Sequence, residues 1–367
     1  MNGQQADKTK NHPLLGGDRG EGKTVNKNQE RYRSAGVDPE RAGSLIRGLM
    51  KNAAGATPLP DSFFCQLVAL PEGVGDKHSW LAISTDGVGT KLMLGKQTGL
   101  LSGIGQDLVG MVYNDLITCG GQPFAFLDYY ATGKIEPEAY STIIQSIRGA
   151  CEQCDMPLLG GETAEMPGLY GEGDFDLAGF GVAAVRNTEI LSPARTVPGD
   201  ALVGFPSSGF HSNGYSLIRK VIGERRLDLK AGHTFNGVTR SLGEWLMEPT
   251  RLYTDVIEAI RARDIDVISL AHITGGGWFE NLPRSLADGC CATLDGKAFD
   301  PPHCDLFNWF AEVAGMSRAE MLATFNCGYG LVAVCRPSAV EGITELLPDA
   351  VMVGQVVEHT EKSVILS

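Results

Sequence analysis

The chain has 367 residues, enough for two domains or one large one, and 43% of them are hydrophobic. A formal net charge of −13 leaves no basic face for a nucleic-acid backbone, and no apolar run reaches the length of a membrane span, so neither partner is expected. The nine cysteines include Cys151-x-x-Cys154 and Cys290-Cys291 but no second spaced pair, which favours reduced, buried thiols in a cytoplasmic protein over a zinc site.

The first feature along the chain has the letters of a P-loop without its context. Residues 17–24 read "GDRGEGKT", the Gly-x4-Gly-Lys-Thr spacing of a phosphate-binding loop. A working P-loop follows a buried strand and opens a helix, whereas polar residues precede this one and "VNKNQERYR" after it has no apolar stripe. We therefore interpret residues 1–30 as a flexible tail and expect any ATP site to lie elsewhere.

Residues 31–188 alternate between predicted helices and strands and form the first predicted domain. "DPERAGSLIRGLM" predicts a helix capped by Asp38, and "HSWLAIST" predicts a strand that runs into "DGVGTK". A helix is predicted over "LSGIGQDLVGMVYNDLITCGG", a strand over "PFAFLDYYAT" and a helix over "EPEAYSTIIQSIRGACEQC". A strand and loop over "MPLLGGET" and a strand over "FDLAGFGVAAV" complete this half.

A stretch with two prolines and no periodicity, residues 186–200, predicts a linker into a second domain over residues 189–367. That half has the strand "ALVGF", the loop "PSSGFHSNG", the helix "YSLIRKVI", a helix around residues 251–263, the strand "VISLAHI", the loop "TGGG" and late strands "GLVAVC" and "AVMVGQVV". The mixed elements show no repeat, so we predict two α+β or α/β domains with a ligand site in the cleft between them.

Three acidic residues of the first half each sit where an apolar segment meets glycines: Asp86, Asp115 and Glu162. Asp86 ends the strand "WLAIST" and is followed by Gly87, which leaves room for a ligand to approach. Hard oxygen ligands of this kind suit Mg²⁺, which proteins usually hold with a few carboxylates and substrate phosphates. The pattern is consistent with a magnesium–nucleotide site, although each acid alone could lie on a solvated surface.

Two further polar residues share one face of the predicted helix. Asp107 and Asn114 are seven residues apart, which places them about 20° apart around the helix axis. Lys91, in "DGVGTK", adds a cation near Asp86. A soluble helix often carries Asp on its wet face, so the argument for these residues depends on the whole group.

The second half offers hydrogen-bond donors instead of acids. Before a predicted helix, the loop "SSGFHSNG" presents Ser208, Gly209, His211 and Asn213, and "HITGGGWF" repeats the arrangement with Thr274, Gly275 and Gly276. Free N–H groups and the helix dipole at such positions favour an anion. His211 fits a general acid or base equally well as a loop residue bonded to backbone, whereas His272, between apolar residues, favours a core position or the support of a ligand residue.

Seven stretches taken together resemble one known family. In order, they are "STDGVGTKL", "DLVGMVYNDL", "FLDYYATGK", "GGETAEMPG", "SSGFHSNGYSL", "TGGGWFENLPR" and "TFNCGYG", and the likeness runs from about Arg31 to the C-terminus. The family is phosphoribosylformylglycinamidine cyclo-ligase, also called aminoimidazole ribonucleotide synthetase. The resemblance implies ATP-dependent ring closure in purine biosynthesis, a cytoplasmic homodimer and a two-domain synthetase fold without a P-loop.

The resemblance also implies roles for the residues above. The first domain would hold ATP and Mg²⁺, with the metal on Asp86, Asp115 and Glu162. The nucleotide would contact Asp86, Gly87, Lys91, Asp107, Asn114 and Asp115. His211, Lys91 and Asp107 would be catalytic, and the phosphoribosyl substrate would lie against Ser208, Gly209, His211, Asn213, Thr274, Gly275 and Gly276.

Two features depart from the family pattern. Residues 58–71, "PLPDSFFCQLVALP", contain no glycine where the family carries a glycine-rich loop, and Arg47 stands where the family usually has lysine. Arginine keeps the charge but changes the geometry of its contacts. We expect these differences to affect the rate more than the substrate.

Sibling ATP-using enzymes of the same superfamily are the first alternative: a thiamine-phosphate kinase, a selenophosphate synthetase or the hydrogenase-maturation dehydratase. The dehydratase would require a C-terminal Cys where this sequence reads "SVILS", and Cys65 lacks the lysine-containing loop expected of a selenophosphate synthetase. The second alternative is a catalytically quiet nucleotide-binding paralogue. The presence of Asp86, Asp115, Glu162 and His211 argues against it.

Overall fold

The structure, a computed structural model, describes residues 64–70, 79–263, 265–300, 304–359 and 363–367. The predicted tail over residues 1–30, the P-loop letters at residues 17–24, the helix predicted over residues 38–50 with Arg47, and residues 58–63 lie outside these ranges. Within the described ranges, no helix is long and apolar enough to cross a membrane. All nine cysteines fall in these ranges and are free and buried, as predicted.

The first half of the chain forms a five-stranded sheet. Its strands are β1 (Gln66–Ala69), β2 (Ser79–Gly87), β3 (Gln122–Thr132), β4 (Leu158–Glu165) and β5 (Phe175–Arg186), in the order β1-β2-β5-β3-β4. Neighbours are antiparallel except for β3 and β4, which run parallel. The predicted loop at "GGET" is wrong, because β4 continues through it in register with β3.

Among the described residues, three helices accompany this sheet: α1 (Lys91–Thr98), α2 (Ile104–Ile117) and α3 (Pro137–Gln153). Helix α2 lies directly on β5, where Gly179 and Gly181 make room for it. An added Cβ at Gly181 would lie 2.6 Å from Val112 Cγ1 of α2, so a larger residue would push the helix away. Helix α1 was not predicted, because it is short, has Gly95 at its centre and lacks a regular apolar stripe.

The two faces of the first sheet differ in what covers them. Gly179 and Gly181 face α2, and side chains alternate along a strand, so Phe180 and its neighbours on other strands face outward. Leu127 pairs with Phe180 and Tyr129 with Ala178, which places them on the same outer face. Leu127 is 42% exposed, Tyr129 38% and Phe180 37%, so this outer face is apolar and open.

The second half contains a six-stranded sheet and a separate hairpin. The sheet has the order β13-β10-β12-β6-β11-β9, with β6 (Ala201–Pro206), β9 (Val267–His272), β10 (Cys290–Leu294), β11 (Tyr329–Cys335), β12 (Val351–Glu358) and β13 (Val364–Leu366). Neighbours are antiparallel except for the parallel pair β10 and β13. The hairpin pairs β7 (Gly232–Phe235) with β8 (Val238–Ser241).

Seven helices complete the second half: α4 (Tyr215–Arg225), α5 (Leu242–Leu246), α6 (Thr254–Ala262), α7 (Gly277–Asn281), α8 (Asp305–Ala314), α9 (Arg318–Leu322) and α10 (Val340–Leu346). Strand β11 and its neighbour β9, at one edge of the sheet, are mainly apolar and buried along their whole length, which explains why their apolar runs predicted them. Between the two sheets, residues 186–200 contain two short 3₁₀ turns, Asn187–Glu189 and Pro193–Arg195. The predicted architecture of two mixed α and β units is confirmed.

Candidate functional site at the junction of the two sheets

The predicted polar residues gather where α1, α2 and the end of β2 meet loops of the second half. Asp86 lies near the end of β2, and Asp107, Asn114 and Asp115 lie along α2. The facing side is supplied by the loop after β6, which carries His211, and by His272 at the end of β9. These residues belong to two networks with different hydrogen bonding.

Lys91 is the centre of the first network and is completely buried. Its Nζ donates to Asp107 Oδ1 at 2.8 Å, to the carbonyl of His211 at 2.8 Å and to the carbonyl of Glu248 at 2.7 Å. An ammonium has three protons, so these contacts use all of them. Burial lowers the pKa of Lys91, and the negative charge of Asp107 opposes that shift.

Asp107 and Asn114 continue this network from α2 and are also completely buried. Besides Lys91, Asp107 Oδ1 accepts from the backbone N–H and the hydroxyl of Thr250, each at 2.8 Å. Asn114 Nδ2 donates to the carbonyl of Arg251 at 2.9 Å, and Asn114 Oδ1 accepts from the N–H of Tyr253 at 3.3 Å. The face shared by Asp107 and Asn114, predicted from their spacing, therefore binds residues 250–253 of the second half.

The second network contains Asp86, Asp115 and His272. His272 Nδ1 lies 2.8 Å from Asp115 Oδ1, and Asp86 Oδ1 accepts from the N–H of Gly87 at 2.7 Å. The other oxygen of each carboxylate has no hydrogen-bond donor among the described residues. Burial, together with the charge of Asp115, raises the pKa of Asp86 to about 6. Two carboxylates thus repel each other at a partly buried position, a situation that a cation relieves.

His211 faces this second network with a buried and unpartnered ring. The side chain is fully buried, and in the part of the chain that the structure describes neither ring nitrogen has a hydrogen-bond partner. Nε2 of His272 is equally unpartnered there. Burial lowers the pKa of His211 well below its ordinary value, and the positive charge of Lys91 acts in the same direction. The ring is therefore neutral at physiological pH and able to accept a proton from a bound ligand.

Glu162 lies apart from the other two acids. Asp86 pairs with Gly179, Gly179 with Asp128, and Asp128 with Gly161, so Asp86 and Gly161 share the face that α2 covers. Glu162 is the next residue and points to the outer face, three strands and roughly 14 Å from Asp86. In the described ranges, no group of three His, Cys, Asp or Glu side chains could hold a metal ion. One chain alone therefore does not bring the three predicted ligands together.

The predicted substrate loops of the second half lie next to each other. An added Cβ at Gly275 would lie 3.7 Å from Asn213 Oδ1, so the two glycine-containing loops meet. The carbonyl of Gly209 accepts from Asn326 Nδ2 at 2.9 Å, and the hydroxyl of Ser208 donates to the carbonyl of Pro249. Thr274 Oγ1 lies 3.4 Å from Asn281 Oδ1, and Gly276 adopts a left-handed φ of 84°, which permits the tight turn into α7.

Sequence reasoning missed two contributors to the junction, Thr250 and Tyr253. Thr250 binds Asp107 through its backbone and hydroxyl, and the ring of Tyr253 lies 6.3 Å from the ring of His211. Both belong to "EPTRLYTD", a short connection with no motif or periodicity. The contact from Glu248 uses only its carbonyl, which any residue could supply, so no sequence signal existed for it.

A cavity of about 790 Å³ lies elsewhere, between residues 184–191 and residues 257–267. Its lining contains none of the predicted site residues, and its arginines are engaged: Arg186 with Glu189, Arg195 with Asp266, and Arg261 with two backbone carbonyls. The polar junction, with its unpartnered buried atoms, remains the candidate site.

Comparison with known proteins identifies the family of the chain. Models of the N-terminal and C-terminal domains of AIR synthase related protein match residues 67–185 and 197–367. A phosphoribosylformylglycinamidine cyclo-ligase of Synechococcus sp. strain JA-2-3B'a(2-13) is 42% identical, over 89% of this chain and 93% of its own. The protein of that name from Thermosynechococcus vestitus is 43% identical, over 84% of this chain and 90% of its own.

The chain belongs to the phosphoribosylformylglycinamidine cyclo-ligase family. It is therefore an enzyme of the ligase class, and the resemblance seen in the sequence is confirmed. The mixed two-domain fold also occurs in distant solved structures. The HypE–HypF complex matches with a TM-score of 0.63 at 16% identity, covering 88% of this chain and 96% of the other. AaThiL complexed with AMPPCP and TMP matches with a TM-score of 0.60 at 15% identity, covering 88% and 91%.

Proposed function

We propose that this enzyme catalyses the ATP-dependent cyclisation of formylglycinamidine ribonucleotide to aminoimidazole ribonucleotide in de novo purine biosynthesis. The relatives that are 42% and 43% identical carry the name of this activity. Within the structure, the proposal is carried by two neighbouring carboxylates, Asp86 and Asp115, of which Asp115 contacts His272, and by the buried, unpartnered ring of His211 nearby. The two carboxylates suit a metal ion that binds the phosphates of a nucleotide. The neutral imidazole of His211 suits a substrate that gives up a proton.

The residues present fit a magnesium ion on Asp86 and Asp115. Each keeps one carboxylate oxygen without a donor among the described residues, and the raised pKa of Asp86 shows that the uncompensated charge is costly. Bound there, Mg²⁺ would neutralise charge on the nucleotide phosphates. Glu162 would join this ligand set only if a second copy of the chain brought it to the ion.

The reaction we propose has two steps on the substrate. The γ-phosphoryl group of ATP passes to the formyl amide oxygen and gives an iminophosphate, because the bare oxygen is a poor leaving group. The amidine nitrogen of the same molecule then attacks the formyl carbon, phosphate leaves and the imidazole ring closes. This second step is intramolecular, so holding the substrate folded lowers much of its barrier.

We assign the substrate to the loops of the second half. Gly275 is exposed and Gly276 is partly exposed, whereas Gly209 is buried and supports the loop. Ser208, Asn213 and Thr274 supply polar groups near His211. A neutral His211 can take a proton from the attacking amidine nitrogen. Lys91, Asp107 and Asn114 were predicted to contact the nucleotide, as was Gly87, and no observation tests these roles. At Gly87 an added Cβ would lie 2.9 Å from the carbonyl oxygen of Leu177, so the close packing there requires glycine.

We also propose a homodimer that covers the outer face of the first sheet. Besides Leu127, Tyr129 and Phe180, Val68 lies on that face and is 46% exposed. A contiguous exposed apolar surface of this kind is typical of a protein interface. Residues 31–188 and 189–367 stay our proposed domains, supported by family matches to residues 67–185 and 197–367. Nine free, buried thiols are consistent with a cytoplasmic location.

The test is substrate-dependent ATP consumption by the purified protein with Mg²⁺. We expect ADP, phosphate and aminoimidazole ribonucleotide in equal amounts when formylglycinamidine ribonucleotide is supplied. Thiamine phosphate and selenide should give no ADP above background. ADP release with either of these, and none with formylglycinamidine ribonucleotide, would assign the chain to a sibling activity instead.

A further inference from the structure

We infer that Lys91 is a positioning residue that acts on the reaction through His211, and that it does not bind phosphate. The inference rests on the proposed function, in which His211 contacts the substrate. Its starting point is that the three protons of Lys91 are already bound by Asp107 and by the carbonyls of His211 and Glu248. A phosphate could bind Lys91 only by displacing one of them, at a position that has no exposed surface.

The backbone of His211 explains why its carbonyl needs such a contact. His211 has a φ of 57°, in the left-handed region that a residue with a Cβ rarely adopts. Helix α4 follows three residues later, and the preceding Phe210 packs on Phe307 and Phe325. His211 is therefore held between two fixed elements, and its unusual φ sets the direction of its ring.

The ring itself has little freedom. An added Cβ at Gly330 would lie 2.3 Å from Cε1 of His211, which shows that the ring rests against the start of β11. Its two nitrogens have no partner within the described ranges, so they do not hold it in place. The hydrogen bond from Lys91 to the carbonyl is therefore the polar contact that fixes this residue.

A charged lysine is needed because it connects three elements at once. Asp107 is anchored on α2 and bound by Thr250, and the carbonyl of Glu248 belongs to the chain just before Thr250. An apolar side chain at position 91 would leave the carbonyls of His211 and Glu248 without this donor, and Asp107, although still bound by Thr250, without its counter-charge. The carbonyl of His211 would then turn toward another donor, and the ring would turn with it.

The kinetic test is a double-mutant cycle between Lys91→Met and His211→Ala. We expect each single variant to lower kcat/KM for formylglycinamidine ribonucleotide at least tenfold. The kcat/KM of the double variant should lie within about twofold of that of the less active single variant. Affinity for ATP, measured by calorimetry, should stay within about threefold in Lys91→Met. Additive losses, or an ATP affinity more than tenfold weaker, would overturn the inference in favour of a phosphate contact.

A matched control lies on the same helix. Lys96 pairs with Asp174 at 2.7 Å but is 42% exposed, so Lys96→Met removes a lysine from α1 without touching His211. Lys96→Met should leave kcat/KM for formylglycinamidine ribonucleotide and the affinity for ATP unchanged. If Lys91→Met does not fold, Lys91→Met/Asp107→Asn replaces it in the cycle with His211→Ala. This variant removes both buried charges together.

A spectroscopic readout makes the inference independent of the reaction. The protein has seven histidines, and His211→Ala identifies the His211 signal in a ¹H–¹³C spectrum of the imidazole rings. That signal should shift or broaden in Lys91→Met and stay in place in Lys96→Met. An unmoved signal would overturn the inference even if the chain proved to have another substrate, whereas a wild-type protein that does not convert formylglycinamidine ribonucleotide would overturn only the proposed function.

Discussion

The two polar networks at the junction use similar residues in opposite ways. Around Lys91, Asp107 and Asn114, the side chains bind one another or the other half of the chain, and among the described residues only Asp107 Oδ2 is buried there without a partner. Around His211 and His272, three buried ring nitrogens have no hydrogen-bond partner among the described residues. Because an unpartnered buried polar atom costs about 1–3 kcal/mol, the second arrangement is retained where a ligand supplies the partner. The closed network joins the halves, and the open one is the place for chemistry.

The largest expected effect tests the closed network. Asp107→Ala leaves the ammonium of Lys91 buried without its counter-charge, so the free energy of unfolding should fall by about 3–5 kcal/mol. Chemical denaturation measures this. Asp174→Ala is the control, since its pair with Lys96 is solvent-exposed and its loss should change stability little. Equal losses in the two variants would mean that the buried pair does not hold the halves together.

Asp115→Asn tests the open network. It should lower turnover by at least a hundredfold, about 2.7 kcal/mol in the barrier, because one negative charge of the proposed metal site is lost. The fold should survive, because the amide keeps the shape of the side chain and the contact to His272. Steady-state assays and a melting curve separate the two effects. Activity close to that of the wild type would remove Asp115 from the site.

The raised pKa of Asp86 predicts how stability changes with pH. Its carboxyl loses its proton less readily in the folded chain, with a pKa of about 6 against an ordinary value of 3.8. The resulting penalty on folding is absent below pH 3.8, grows between pH 3.8 and 6, and is complete above pH 6. Without Mg²⁺, Asp86→Asn should therefore stabilise the protein at pH 8 by about 1–2 kcal/mol and have little effect at pH 4. An equal effect at both pH values would contradict a charge penalty.

His211→Ala separates the two sides of the open network. It should raise KM or lower kcat for formylglycinamidine ribonucleotide by at least about tenfold, and ATP affinity should stay within about threefold. Calorimetry with each ligand alone provides the comparison. The division between a nucleotide side and a substrate side would be wrong if nucleotide affinity fell while substrate affinity held.

The smallest expected effect concerns the P-loop letters. Lys23→Ala, or removal of residues 1–29, should leave kcat and the KM for ATP within about threefold, under roughly 0.7 kcal/mol, since the proposed phosphate site lies on Asp86 and Asp115. A loss on deletion alone would point to a covering role for the segment. A hundredfold loss from Lys23→Ala would place the nucleotide there instead.

Much of the fold and of the candidate site could be predicted from the sequence, because the patterns that indicate them are local. The strand ending at Asp86 and the helix carrying Asp107 and Asn114 follow from apolar periodicity, and the shared face follows from their spacing. What the face binds could not be predicted, because Thr250 and Tyr253 come from a connection without a pattern. The separation of Glu162 from Asp86 depends on strand order, which places β5 and β3 between them. Strand order depends on pairing between segments that are far apart in the sequence, so local motifs do not predict it.

Helix α2 has a consequence for how ligands enter and leave. It carries Asp107 and Asn114 of one network and Asp115 of the other, and it is packed between β5 and α3. Swinging the two sheets apart would therefore break the contacts of Lys91 and separate Asp115, a proposed metal ligand, from His272. We expect exchange by local motion of the loops over residues 207–214 and 273–277 instead. Small-angle scattering should then give the same radius of gyration for free and ligand-bound protein, and the backbone amides of α2 should be among the slowest to exchange with deuterium.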